Sequence, residues 1–280
     1  METKILGLSG RKQSGKNTTA NYIVGCFIKA LNIADANLNE KGELVLSNFM
    51  VETTLPEGVF DILSHDIETL KFIDEYLDGI VKVYSYADML KRDVCMKILG
   101  LSETQCFGTD EQKNTLTHLN WEDMPGLVIP YMDDGATIEQ ARRTLGLIGP
   151  MSARAVMQYI GTEIFRKMYN NCWVDATIKQ IKREHPLLAI ITDVRFVNEV
   201  EGIRSVNIQS DYPCSGKVIR FLRDPNKGKD VHESETALDD YPMENYFAVI
   251  DNSNMSIDEQ NAIVDALLRE IQPEPWLPKI

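Results

Sequence analysis

Short apolar runs alternate along this chain with stretches whose apolar positions recur every three to four residues. Residues 3–8 form a buried run ending at Leu8, and residues 16–31 carry helical periodicity. From Asn32 to Gly79 the pattern changes: 37–46 reads as a hairpin with a Lys41-Gly42 turn, and Glu68–Leu77 as a helix. Residues 80–86 predict a second core strand, and Ala87–Leu99 a helix. Gly108 to Gly135 is polar, contains Trp121, Pro125 and Pro130, and reads as a long loop. Helices are expected at 152–169 and 173–184, then a fully apolar strand at 187–192 that ends on Asp193. A helix at Asn198–Ser205, a strand at Lys217–Leu222 and a charged stretch at 223–245 follow. The last elements are a strand at Phe247–Ile250, a helix at Ser256–Ile271 and an irregular Pro-rich tail from Pro273. Strands alternating with helices predict an α/β fold, a mostly parallel sheet covered by helices on both faces. The whole chain, 1–280, reads as one such domain, with 32–79 and 108–135 as insertions and 223–245 as a lid. No internal repeat or low-complexity segment interrupts it.

Between the first run and the first helix lies Gly10-Arg11-Lys12-Gln13-Ser14-Gly15-Lys16-Asn17-Thr18. Strand, glycine loop and helix in this order are the context of a phosphate-binding P-loop. The glycines let backbone N–H groups converge on phosphate oxygens, the helix adds its positive end, and Lys16 supplies a full charge. The position after the lysine, which usually carries a magnesium-binding hydroxyl, holds Asn17, with Thr18 and Thr19 just beyond. Gly10, Ser14, Gly15, Lys16, Asn17 and Thr18 are therefore the expected nucleotide-binding residues, with Asn17 at the metal position. The alternative is a glycine turn that opens a helix with a surface lysine.

Charge narrows the partners. A net charge of −13 with no evident basic patch argues against a sequence-independent nucleic-acid binder and for small anionic substrates held by a few placed arginines. The 5 cysteines are scattered and form no C-x-x-C pair, as expected of free thiols in a reducing cytoplasm. No leader peptide and no membrane-spanning run are expected.

Ligands of open parallel sheets sit beyond the carboxyl ends of the strands, and both the glycine loop and Asp193 fall there. Asp193 can reach magnesium directly or through water, or can cap the next helix. Arg195, two residues on, either turns its guanidinium fork into the same cleft or lies on the surface. On the 152–169 helix, Arg154, Gln158 and Thr162 recur every fourth residue, which makes either an anion-recognition face or a solvated one. Trp173 either stacks on a base or fills the core. His232-Glu233-Ser234-Glu235 places a histidine beside carboxylates but does not match a zinc signature. Asn252, after the last strand, is placed to contact an adenine base or merely to form a turn.

Taken in order, several pieces resemble the phage-type deoxynucleoside monophosphate kinases, a branch of the P-loop kinases. They are Gly-Leu-Ser-Gly-x4-Ser-Gly-Lys-x-Thr at 7–18, Tyr86-Ala87-Asp88-Met89-Leu90-Lys91, and Arg154-x3-Gln158-x2-Gly161-Thr162-Glu163. Trp173-Val174, Asp193-Val194-Arg195-Phe196-x-Asn198-Glu199, His232-x-Ser234-Glu235 and the Asn252 loop complete the set. The resemblance implies transfer of the γ-phosphoryl of ATP, with Mg2+, to a deoxynucleoside monophosphate in phage nucleotide metabolism in the host cytoplasm. It implies that Lys16 holds the ATP phosphates, that Asp193 and Arg195 act at the transferring group, and that Arg223 comes from the lid. It places Arg154, Gln158, Thr162, Trp173 and Glu199 around the acceptor, with Lys91 on the acceptor phosphate, and makes a homodimer plausible. Two rival readings accompany it. One is a P-loop kinase with another acceptor, dephospho-coenzyme A or a modified base in DNA. The other is a nucleotide-binding protein without catalysis, which Asn17 keeps open.

Overall fold

The computed structural model describes residues 2–64, 66–125, 137–206, 214–225 and 233–271. They fall into two compact units: residues up to Ser85 together with those from Thr177 onward, and Tyr86–Ala176.

The first unit is built on a five-stranded sheet in the order Ala248–Ile250, Cys214–Phe221, Thr3–Ser9, Leu188–Val194, Val81–Tyr84. Every pair is parallel. Parallel neighbours need crossover connections, which is why helical segments separate the strands in sequence. The Thr3–Ser9 strand is central and almost fully buried, so its apolar residues need no alternation. This is the P-loop NTPase-type α/β fold expected from the sequence.

Register decides what meets the glycine loop. Ser9, the last residue of the central strand, pairs with Val194 on one side and Arg220 on the other. Asp193, Arg195 and Arg220 therefore arrive at the same carboxyl end of the sheet as the loop that begins at Gly10.

Residues 35–60 form a small antiparallel sheet, Asp35–Leu38, Leu44–Ser47 and Gly58–Phe60. Its hydrophobic side closes over Phe72 of the Ile67–Tyr76 helix, which stacks edge-on against Phe49 and Phe60 at 6.0 and 5.4 Å. The hairpin also packs on the Lys16–Ala30 helix, where Gly25 lets Leu44 approach: a Cβ there would sit 2.9 Å from the leucine side chain.

The second unit corrects two expectations. The stretch expected as a long loop begins with the Asp110–Lys113 helix and the Leu116–Asn120 strand, which pairs with Pro150–Ser152; its 126–136 portion lies outside the described residues. The helices expected at 87–99 and 152–169 begin as α-helix over Tyr86–Met89 and Ala153–Gln158. They continue as π-helix over Leu90–Met96 and Tyr159–Arg166. A hydrogen-bond ladder from i to i+5 changes which side chains share a face, so fourfold spacing holds only from Arg154 to Gln158. The two π-helical segments meet where a Cβ on Gly161 would lie 2.7 Å from Leu90.

Candidate phosphate-binding site

The glycine loop needs its glycines sterically. Gly15 has φ near 100° and Gly10 near 153°, and a Cβ at Gly10 would come within 2.4 Å of Ser14 Oγ and 3.0 Å of the Phe221 carbonyl. Gln13 also adopts positive φ, at 62°. The Lys16–Ala30 helix begins directly after this turn, so its free N–H groups point into the loop.

Lys16 is buried. Its ammonium donates to the Gly10 carbonyl at 2.8 Å, the Arg11 carbonyl at 2.6 Å and Ser14 Oγ at 3.3 Å. The loop thus satisfies its own lysine. Burial, and next the positive charge of Arg195, lower the Lys16 pKa to about 7. An unfolded lysine titrates near 10.5. Between those values the unfolded chain binds more protons, so Lys16 makes the fold more stable as pH rises from 7 towards 10.5. A polyanion bound at the loop would restore the charged form. Calorimetry with inorganic tripolyphosphate in EDTA, in buffers of different ionisation enthalpy, should therefore show proton uptake near pH 8.5 that vanishes below pH 6. The Lys16→Ala variant should show none, and a buffer-independent heat in the parent protein would contradict this lysine state.

Two buried side-chain amides fix the loop. Asn252, 1% exposed, donates to the Ser14 carbonyl at 2.7 Å and to Gln260 Oε1 at 2.6 Å, while its oxygen accepts from the Arg223 N–H at 3.1 Å. Gln260 in turn donates to Thr19 Oγ1 at 2.9 Å and to the Gly15 carbonyl at 3.3 Å. The Arg223 guanidinium donates to the Gln13 carbonyl at 3.0 Å. Asn252, read from the sequence as an adenine contact or a turn residue, is here buried and braces the loop. The rest of the 223–245 segment divides: 226–232, including His232, lies outside the described residues, and Glu235 is buried.

At the strand ends, Asp193 accepts a hydrogen bond from Ser85 Oγ at 2.6 Å. The Arg195 guanidinium pairs with Glu235, and the other carboxylate oxygen of Glu235 accepts from the backbone N–H of Lys12 at 2.8 Å. Arg220, 7% exposed, donates to Ser9 Oγ at 3.0 Å. Glu199 is 1% exposed, and its carboxylate caps the turn after Asp193 by accepting from the N–H groups of Arg195 at 2.6 Å and Phe196 at 3.0 Å. It fixes where Arg195 leaves the strand.

In the first turn of the helix the side chains diverge. Asn17 is exposed, Thr19 is buried on Gln260, and Thr18 packs against Gly42 of the hairpin. Asn17 is thus the outward-facing residue of that turn. Asn17 and Asp193 offer only oxygen and amide donors, with a hydroxyl beside the carboxylate, a set that suits a hard cation such as magnesium.

Within the second unit, Arg154 donates to Asp110 at 2.7 Å and to Asn114 at 3.1 Å. Gln158 is exposed and Thr162 half-buried. The Lys91 ammonium stands over the Phe107 ring at 4.8 Å. Trp173 is 6% exposed, donates its indole N–H to the Gly161 carbonyl at 3.2 Å, and packs on Phe165 at 5.1 Å. It serves the core of this unit, the second of the two roles its sequence position allowed. Sequence reasoning missed Ser85, Gln260 and Asp110, and gave Glu235 no role. Of these only Glu235 lay in a recognised piece, His232-x-Ser234-Glu235.

A central parallel strand, a glycine loop closed on a buried lysine, and an acid and arginines at the neighbouring strand ends define a P-loop NTPase-type α/β protein. The resemblance read from the motifs is borne out by relatives. The chain is 38% identical over 58 residues to the deoxynucleoside-5′-monophosphate kinase of Escherichia phage T5, covering 20% of this chain and 23% of that protein. It is 27% identical over 268 residues to a protein of Acanthamoeba polyphaga mimivirus provisionally named a deoxynucleotide monophosphate kinase, covering 91% of each. No protein-family model matches the chain. Among the described residues, no helix is long and apolar enough to cross a membrane.

Proposed function

We propose that this protein is an ATP-dependent deoxynucleoside monophosphate kinase, which transfers the γ-phosphoryl of ATP to a deoxynucleoside 5′-monophosphate to give the diphosphate and ADP. The observation that carries this reading is the glycine loop with Lys16, flanked by Asp193, Arg195 and Arg220, in a chain similar over nearly its full length to a mimivirus protein provisionally named a deoxynucleotide monophosphate kinase.

Phosphoryl transfer asks mainly for positioning and for neutralisation of spreading negative charge. The backbone N–H groups from Gln13 to Thr18 cradle the donor phosphates. Lys16 leaves its loop carbonyls for phosphate oxygens, and Arg195 stabilises the transferring group. The acceptor phosphate oxygen is already anionic, so no side chain has to remove a proton from it. Asn17 and Asp193 are the residues that would hold Mg2+, which screens the donor phosphates when bound. Arg154, Gln158, Thr162 and Lys91 of the second unit serve the acceptor, and Arg223 serves the donor side. In an infected cell such an enzyme works in the cytoplasm and feeds viral DNA synthesis.

The test is a coupled ADP-release assay with magnesium and ATP against deoxynucleoside monophosphates, ribonucleoside monophosphates and dephospho-coenzyme A. ADP release that depends on one or more deoxynucleoside monophosphates is expected. Release with dephospho-coenzyme A alone would reassign the acceptor, and ATP binding without any acceptor-dependent release would leave a binding protein. Arg154→Ala should raise the acceptor KM about tenfold or more with a smaller change in kcat, as loss of a charged hydrogen bond predicts. An unchanged acceptor KM would remove Arg154 from that site.

A further inference from the structure

We infer that Glu235 is a positioning residue for phosphoryl transfer: its carboxylate seats the Arg195 guanidinium against the glycine loop through the Lys12 N–H. The inference rests on the kinase reading for its consequence, but the seat itself is geometric.

Three observations carry it. Glu235 is 9% exposed, and a carboxylate that deep in the protein must be compensated. Its two oxygens are divided between two elements: one accepts from Lys12 N–H at 2.8 Å, and the other pairs with Arg195. The residues it joins are remote in sequence, 223 positions apart for Lys12 and 40 for Arg195. A bridge of this kind ties the strand end to the loop. The same segment is held a second time, because Arg11 of the loop pairs with Asp239 at 2.6 Å. Glu199 fixes the backbone of Arg195 from below, by accepting its N–H, and Glu235 fixes the head of the side chain. Arg195 is thereby held at both ends. Its head lies near enough to Lys16 for its charge to act on the lysine.

The sign of the charge separates this role from a bland one. A carboxylate near an anion site that does nothing else only repels the phosphate, and its removal should tighten binding and leave turnover intact. A seat has the opposite signature in turnover. Misplacing a catalytic group by about 1 Å costs on the order of a hundredfold in rate. Glu235→Gln is therefore expected to lower kcat about ten- to a hundredfold with the KM for ATP changed less than about threefold. In the Arg195→Ala background the same substitution should cost almost nothing further, because its effect passes through that arginine. Guanidinium added to Arg195→Ala should restore activity in part when Glu235 is present and fail to do so in the double variant.

Arginine side-chain NMR tests the seat without any phosphoryl transfer. Hindered rotation of the Arg195 guanidinium is expected in the parent protein and free rotation in Glu235→Gln. Thermal melting of each variant separates loss of the seat from loss of the fold. Unchanged guanidinium rotation in Glu235→Gln, or a full additive loss of kcat in the double variant, would overturn the proposal. A parent protein that phosphorylates no acceptor would sink the kinase reading while leaving the NMR result to decide the seat.

Discussion

Replacing Lys16 with alanine is expected to lower ADP release by on the order of a thousandfold, the scale seen when one preorganised donor to a developing charge is removed. Lys16 brings a full charge to the start of the helix that follows the glycine loop, and it is already held within reach by the Gly10 and Arg11 carbonyls and Ser14 Oγ. Among the described residues, Arg195 and Arg220 are already engaged by Glu235 and Ser9, so neither stands where the Lys16 ammonium does. Stability should respond differently. The substitution removes three hydrogen bonds but also the cost of burying an ammonium that the protein holds at a pKa of about 7. The melting temperature at neutral pH should therefore shift little, and a well-folded, inactive variant is the expected outcome. Near-normal turnover would refute the glycine-loop assignment.

Arg195→Ala should be of comparable severity, about a thousandfold in kcat, as for an arginine that stabilises a transferring phosphoryl group. The structure makes the direction specific. The guanidinium is about one-third exposed and is anchored on buried Glu235. Lysine should not substitute, because an ammonium cannot hold Glu235 and a phosphate oxygen in one plane. The measurement is kcat and the KM for ATP of the alanine and lysine variants, with melting as control. A loss confined to the KM for ATP would make Arg195 a ground-state binding residue, and full activity in Arg195→Lys would refute the fork geometry.

The central strand, the glycine loop and the first helix were legible because each is specified by neighbours in sequence. The apolar run needs no partner to declare itself, and the loop's glycines sit where φ must be positive. The Leu188–Val194 strand was legible for the same reason, and with it the position of Asp193 at a strand end. The short strands at Gly58–Phe60, Leu116–Asn120 and Pro150–Ser152 were not, because three to five residues carry too little periodicity and gain their hydrogen bonds from partners elsewhere in the chain. The π-helical continuations after Met89 and Gln158 were invisible as well, since they arise where two helices crowd at Gly161 and Leu90.

The same division runs through the site. The sequence by itself determined that a glycine loop of P-loop pattern follows the first strand, that an acid and an arginine end a later one, and that the sheet is parallel. Only the tertiary structure decided that Asn252 braces Ser14 across 238 residues, that Trp173 belongs to a core, and that Glu235 joins Lys12 to Arg195. Local chemistry follows from spacing along the chain. Buried polar contacts follow from register, which fixes the strand ends that meet at Ser9 and so which remote carboxylates and amides must satisfy one another there.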